Sequence, residues 1–240
     1  MKIVCVIPTY NEKDNIVRLV GQLRELYPEL HTLIVDDSSP DETGAVAEKL
    51  KNNQLSVLHR EKKEGLGKAY LAGFDKALSD GADIVIQMDA DLSHDPVYIK
   101  AMLTAIEECD VVIGSRYING ISIVNWPITR LFVSWFGNVY ARLATGIKIS
   151  DLTSGYKCIR RSALEAIDFR KIRTLGYGFQ IEMNYAFIDC GKKISEIPII
   201  FYERTQGKSS MTKSMVLEAI IKVPFFRFKK YAGKKKSPAV

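Results

Sequence analysis

The chain has 240 residues, 47% of them hydrophobic, which is enough for one sizeable α/β core and too little for a second full domain. Its formal net charge is +6. Six basic residues after Pro224 (Arg227, Lys229, Lys230, Lys234, Lys235, Lys236), with no acid beside them, account for all of it. Nucleic-acid binders spread basic residues over a folded face, so that class is set aside. A polybasic tail after an apolar segment points instead to an anionic membrane surface, where each Lys or Arg contributes about 1 kcal/mol.

The four cysteines, Cys5, Cys109, Cys158 and Cys190, lie far apart without a C-x-x-C, which argues against a disulfide framework or zinc site and for a reducing cytosol. The first residues run straight into a strand, so no signal peptide is expected. The most apolar stretch, 121–147, is interrupted by Arg130 and Arg142. Spanning a bilayer takes roughly 20 apolar residues, so contact with lipid would be peripheral, on the cytoplasmic side.

In chain order, the apolar runs predict strands over 3–7 (ended by Pro8), 32–35, 55–58, 84–88 and 111–113. Between them the spacing predicts helices over 14–26, 41–50 (capped by Ser39 or Asp41), 67–78 and 96–106 (capped by Asp95). This alternation implies a mostly parallel sheet with helices on both faces. Past Gly114 the pattern predicts a long apolar helix over 127–145, a strand over 156–159, helices from 162 and over 178–188, and a strand over 193–199. A polar loop over 205–213 and an apolar helix over 215–226 follow. The expected division is a catalytic domain 1–213, an amphipathic interface helix 214–228 and a flexible basic tail 229–240.

Chemistry concentrates at strand ends. Asp89-Ala90-Asp91 closes the run Ile84-Val85-Ile86-Gln87-Met88, which places two carboxylates at the carboxyl edge of the sheet, where open α/β sheets bind ligands. Such a pair suits a hard divalent cation and, through it, a diphosphate. Pro8-Thr9-Tyr10-Asn11-Glu12 offers a ring for a flat base and a carboxylate for base N–H groups. Asp37 sits where a ribose hydroxyl or base amide could be held, and Lys68 belongs to a Gly-rich segment read first as a helix entry and second as a phosphate contact. His94 is read as a loop residue before a helix start rather than as a third ligand. Trp126 and Trp135 are read as packing or interfacial residues. Asp151 is read as a positioning residue, with a general base as the other possibility.

The ordered set IPTYNE, VDDSSPDET, GLGKAY, QMDADLSHDP, GSRY, NWP, DLTSGYK and ERTQGKS resembles the family-2 glycosyltransferases of Rossmann-like GT-A fold, and among them the polyprenol-(dolichol-)phosphate mannose synthases. The resemblance covers about residues 2–211. It implies transfer of mannose from GDP-mannose to a polyprenyl phosphate, inverting and dependent on Mg²⁺ or Mn²⁺. It implies a donor site of Pro8, Tyr10, Glu12, Val35, Asp37, Lys68, Asp89, Ala90, Asp91, Arg204 and Lys208. Asp91 is the implied metal ligand. Ser93 stands where some relatives carry a second, longer ligand, glutamine. Arg116, Arg130 and Ser134 are the implied acceptor-phosphate residues. Where relatives often read SRGAN, this chain reads Ser134-Trp135-Phe136-Gly137-Asn138, trading a cation for apolar surface. A membrane surface and a separate membrane-anchoring subunit are the implied partners, and no nucleic acid. The alternatives are the same fold moving another sugar from UDP, a transferase acting on a hydroxyl acceptor, and a non-catalytic nucleotide-binding module.

Overall fold

The structure of the chain, a computed structural model, describes residues 1–174, 176–203, 218 and 220–233. A seven-stranded sheet forms its centre, in the order β3-β2-β1-β4-β7-β5-β8. Its strands are β1 (Ile3–Thr9), β2 (His31–Asp36), β3 (Leu55–His59), β4 (Ile84–Gln87), β5 (Val111–Ser115), β7 (Lys157–Arg160) and β8 (Ile194–Pro198). All neighbours are parallel except β7, which runs antiparallel between β4 and β5. A second, two-stranded sheet pairs β6 (Ile123–Val124) with β9 (Phe201–Tyr202). The helices are α1 (Lys13–Leu26), α2 (Thr43–Lys49), α3 (Leu66–Ser79), α4 (Ile99–Ala105), α5 (Ile128–Thr145), α6 (Arg161–Glu165) and α7 (Tyr177–Asp189).

Period-two alternation divides the core between the sheet's two faces. Cys5, Ile7, Ile34 and Ile86 pack with Ile16, Leu19 and Leu23 of α1 and with Ile99 and Met102 of α4. Val4, Val6, Val35 and Val85 pack with Tyr70 and Phe74 of α3 and with Phe179 and Phe187 of α7. Helix α3 approaches closely, because a Cβ at Gly73 would lie 2.3 Å from Val6 Cγ1. All four cysteines are free, and Cys5, Cys109 and Cys158 are buried.

Pro8 does not end the first strand as expected. The ladder to β4 stops at Val6, whereas pairing with β2 continues to Thr9, so Pro8 occupies a stretch that is locally an edge and its missing N–H is tolerated. Helix α2 starts at Thr43 rather than 41, because Asp41 sits before it and accepts from the Thr43 N–H at 3.0 Å and the Lys13 N–H at 3.1 Å. Asp95 caps as expected, accepting from the Val97 N–H at 3.0 Å, but a 3₁₀ turn, Pro96–Tyr98, precedes α4.

The C-terminal expectations need correction. Residues 214–217 and 219 of the expected amphipathic helix, and 234–240 of the tail, lie outside the described residues. Residues 220–222 are helical, and a 3₁₀ segment, Val223–Phe228, continues from them with Val223 and Phe226 buried. The tail expected from residue 229 is anchored through 233. Lys229 Nζ and Tyr231 OH both donate to buried Glu182, the Tyr231 N–H donates to Asp189 and the Gly233 N–H to the Ala166 carbonyl. Two basic residues counted toward the flexible basic tail, Lys229 and Lys230, are therefore ion-paired to α7.

Candidate active site

Loops that leave the carboxyl ends of β1, β2 and β4 converge on one edge of the sheet. Each contains a non-glycine residue in the left-handed region: Asn11 (φ 62°), Ser38 (φ 54°) and Leu92 (φ 62°). Such conformations are uncommon, most of all for leucine, and persist where surrounding bonds enforce them. Around Leu92 those bonds come from Asp91, whose Oδ1 accepts from the Ser93 hydroxyl at 2.5 Å and the Ser93 N–H at 3.1 Å. Ser93 is buried. Its hydroxyl donates to Asp91 and so braces the carboxylate of the expected ligand.

Asp89 is fixed from two directions. Its Oδ1 accepts from Tyr70 OH at 2.5 Å, and its N–H donates to His94 Nδ1 at 3.0 Å. Burial pushes the Tyr70 phenol well above its ordinary value, with the Asp89 carboxylate acting in the same direction, so it stays a donor. His94 is buried and stacks on Tyr156 with ring centroids 4.9 Å apart. Burial lowers its pKa, and with Nδ1 accepting, the neutral ring carries its hydrogen on Nε2. Neither nitrogen then offers a lone pair to a metal, and His94 serves as a clamp on the acidic loop.

A chain of charges joins the loops after β2 and β3 to the start of α3. Asp37 pairs with Arg60, Arg60 with Glu64 at 2.8 Å, and Glu64 with Lys68 at 2.9 Å. Burial raises the Asp37 pKa, and Arg60 opposes the shift. Asp36 staples the loop after β2, accepting from Thr9 Oγ1 at 3.0 Å and Ser39 Oγ at 2.5 Å. Lys63 Nζ lies 3.6 Å from the Tyr10 ring centroid, and Glu12 accepts from Asn15 at 2.7 Å. Val35 and Pro8 are register partners. The Val35 side chain belongs to the core beneath α3, which leaves its backbone at the strand end. Ala90 is also buried.

Beyond β5 the site changes character. Arg116 is buried and grips Asp151 with Nε–Oδ2 2.6 Å and Nη2–Oδ1 2.7 Å, while Nη2 also donates to Thr153 at 2.8 Å. Rings of Tyr117, Trp126 and Phe201 surround the guanidinium at 5.2–5.8 Å. Burial raises the Asp151 pKa, but the Arg116 charge and hydrogen bonds outweigh it and hold the carboxyl below its ordinary value. Asp151 is thus a fixed anion, not a poised base. Arg130 lies 4.0 Å from the Trp126 ring centroid and pairs with Glu203 at 2.8 Å. Ser134 accepts from Tyr117 OH at 2.8 Å. Thr153 receives both Arg116 and Asn138, and Asn138 also donates to the Ser134 carbonyl, so Arg116 and Ser134 meet in one cluster that Arg130 adjoins through the Trp126 ring. Arg204 and Lys208 lie outside the described residues.

The family model described as Glycosyl transferase family 2 matches residues 4–168, which contain every strand-end loop described above except those of β8 and β9. The chain belongs to glycosyl transferase family 2. It is 43% identical over 93% of its length, and 93% of the relative, to a protein of Micrococcus luteus named undecaprenyl-phosphate mannosyltransferase. It is 44% identical over 91% of its length, and 84% of the relative, to the polyprenol monophosphomannose synthase of Mycolicibacterium smegmatis. Among solved structures, it is similar in fold to glucosyl-3-phosphoglycerate synthase from Mycobacterium tuberculosis in complex with Mn²⁺, UDP-glucose and phosphoglyceric acid. The TM-score is 0.66 at 18% identity, over 94% of this chain and 79% of that one. The chain is accordingly a glycosyltransferase with the mixed α/β GT-A architecture.

Within this family-2 enzyme, sequence reasoning missed Arg60, Lys63, Tyr70 and the clamping role of His94. The basic run from Arg60 to Lys63 ahead of Gly65 was the available signal for the first two. Tyr70 gave none, because its position in α3 reads as core. Apolar surface on α5 was underestimated. Ile128, Phe132, Val133, Phe136 and Leu143 are each at least half exposed, and Trp135 is exposed beside them. Ile220, Ile221, Phe225 and Phe228 add exposed apolar side chains on the segment packed against α5, where Tyr140 OH donates to the Ile220 carbonyl. Among the described residues, no helix is long and apolar enough to cross a membrane.

Proposed function

We propose that this enzyme transfers mannose from GDP-mannose to a polyprenyl phosphate, with inversion at the anomeric carbon. One observation carries the reading: relatives more than 40% identical across over nine-tenths of the chain bear names that specify mannose and a polyprenyl-type phosphate. An acceptor phosphate oxygen attacks C1 of the sugar, the bond from C1 to the diphosphate breaks, and its electron pair leaves with GDP. A phosphate monoester already carries about −1.5 to −2 charge, so it is a nucleophile without a base. That agrees with Asp151 being locked by Arg116. Arg130 and Ser134 are the residues proposed to meet the acceptor phosphate, with Arg116 holding the wall behind them.

A Mg²⁺ or Mn²⁺ ion fits the acidic loop. Among the described residues no cluster of three ligating side chains exists, so Asp91 would share the ion with diphosphate oxygens and water, the arrangement magnesium favours. When bound, the ion supplies counter-charge to the departing diphosphate. Tyr10, Glu12, Asp37 and Lys68 are proposed to face the nucleoside and its phosphates, and Asp89 the sugar or ribose.

The exposed apolar faces of α5 and of residues 220–228 are proposed to rest on the cytoplasmic side of a membrane, aided by Arg227, Lys234, Lys235 and Lys236. A separate anchoring subunit would bind the same side. The test is transfer of label from GDP-mannose, or from UDP-glucose, to polyprenyl phosphate, read in the organic phase with and without chelator. Label from GDP-mannose alone, lost on chelation, is expected. Label from UDP-glucose alone would replace the donor, and no label from either would remove the reading.

A further inference from the structure

Lys157 is fully buried on β7, and nothing in the proposed chemistry uses it. In register it faces Gln87 of β4 on one side and Ile113 of β5 on the other. Its Nζ donates to the Ser154 carbonyl and to Gln180 Oε1 of α7. The same Gln180 oxygen accepts from Gln87 Nε2 at 2.9 Å, and that nitrogen also donates to the Gly155 carbonyl at 2.9 Å. Two buried side chains, Lys157 and Gln87, therefore donate to one turn, Ser154-Gly155, and the Gln180 oxygen joins the two donors behind it.

The turn abuts the acidic loop. A Cβ at Gly155 would lie 3.2 Å from Asp89 Oδ2 and 3.3 Å from His94 Cε1. Tyr70 OH occupies the other carboxylate oxygen, so the Asp89 side chain is walled by Tyr70 on one side and by bare Gly155 backbone on the other. A buried lysine is costly here. Burial pulls its pKa down to about 7, against the opposing pull of the Asp151 and Asp89 carboxylates. Both the amine and the ammonium supply the two N–H donors the turn requires.

We propose that Lys157, with Gln180 and Gln87, is a positioning residue that holds the Ser154-Gly155 turn as the wall fixing the Asp89 carboxylate for sugar transfer. The inference rests on the reading of Asp89 as a donor-side group. It predicts that the lysine affects the rate of transfer and leaves ground-state affinity alone, because a displaced wall misaligns Asp89 without removing a binding group.

The test compares Lys157→Met, Gly155→Ala and Asp89→Asn with the wild type in the full chain. Thermal midpoint, nucleotide affinity by calorimetry, and kcat and KM for the lipid phosphate are measured. For Lys157→Met and Gly155→Ala, kcat should fall roughly 10- to 100-fold, the range for a misplacement of about 1 Å, with nucleotide Kd and acceptor KM unchanged. Should Lys157→Met fail to fold, Gln87→Met, which removes the other donor to the turn, takes its place with the same expected loss of kcat, and Gly155→Ala reports on the wall itself by adding one methyl group against Asp89. Wild-type kcat in the folded variants, or a loss confined to thermal midpoint or KM, overturns the positioning role while an inactive Asp89→Asn keeps the donor-side reading. Full activity in Asp89→Asn would overturn both.

Discussion

The edge formed by β1, β2 and β4 and the surface formed by α5 with residues 220–228 solve opposite problems. The first collects carboxylates and cations on tight, internally bonded loops above an apolar sheet, and its apolar side chains are inside. The second turns Phe132, Phe136, Leu143, Phe225 and Phe228 outward. A monomeric soluble protein rarely leaves so much contiguous apolar surface uncovered. Between the two stands the Arg116–Asp151 pair, buried, bidentate and ringed by aromatic side chains. The contrast matches an enzyme whose donor arrives from water and whose acceptor arrives from lipid, with a rigid partition between them.

The partition should be the costliest part to break. Asp151→Asn leaves Arg116 buried without its anion and should lower unfolding free energy by about 3–5 kcal/mol, measured by urea denaturation. Because the folded Asp151 pKa is depressed, its contribution is complete above the unfolded carboxylate value of about 3.9 and is lost as pH falls through the folded value. The wild-type advantage over Asp151→Asn should thus hold level toward neutral pH and shrink in acid. An equally large advantage at all acid pH values would mean the pair is not what stabilises the partition.

Variants on either side should separate donor from acceptor. Asp91→Ala should cut kcat by roughly 10²–10³, the scale for losing one group that stabilises transition-state charge, with acceptor KM unmoved. Arg130→Ala should weaken acceptor use by about 1.5–3 kcal/mol, the worth of a charged hydrogen bond, while calorimetry shows unchanged affinity for the nucleotide sugar. If both variants lose donor affinity equally, the two regions are one site. The apolar face should give the smallest effect. Exchanging Phe136 for serine should cost less than about 1.5 kcal/mol of vesicle binding, because a partly exposed ring has only part of the roughly 1.5–3 kcal/mol of full burial left to gain, and should leave the thermal midpoint in place. Unchanged co-sedimentation with vesicles would show that this face does not meet lipid.

Much of the donor half is legible in the sequence because its strands are short, β-branched runs with acids at their ends. Ile84 to Gln87 followed by Asp89 and Asp91 is the clearest case. The acceptor half is less so, for identifiable reasons. The four residues Lys157 to Arg160 carry no information on direction, so an antiparallel β7 within a parallel sheet was invisible, and a lysine at its start argued against burial. Arg116 and Asp151 pair across 35 positions, so their ion pair was not legible from spacing. Val35 lies between strand and acidic loop, and only the register shows that its side chain points to α3. Apolar residues occur all around α5, so spacing alone did not tell the exposed side from the core. The 3₁₀ segment after Lys222 was hidden the same way, with Val223 and Phe226 inward and Phe225 and Phe228 outward.

The most direct test of a water-borne donor meeting a lipid-borne phosphate is a competition among acceptors. Purified enzyme with labelled GDP-mannose and divalent metal is offered vesicles carrying polyprenyl phosphate, vesicles carrying the corresponding polyprenol, or a short water-soluble alkyl phosphate. The account predicts rapid labelling of the polyprenyl phosphate, slow labelling of the short phosphate and none of the polyprenol. Labelling of the polyprenol at a comparable rate would contradict it, since a hydroxyl acceptor demands a base that the locked Asp151 does not supply.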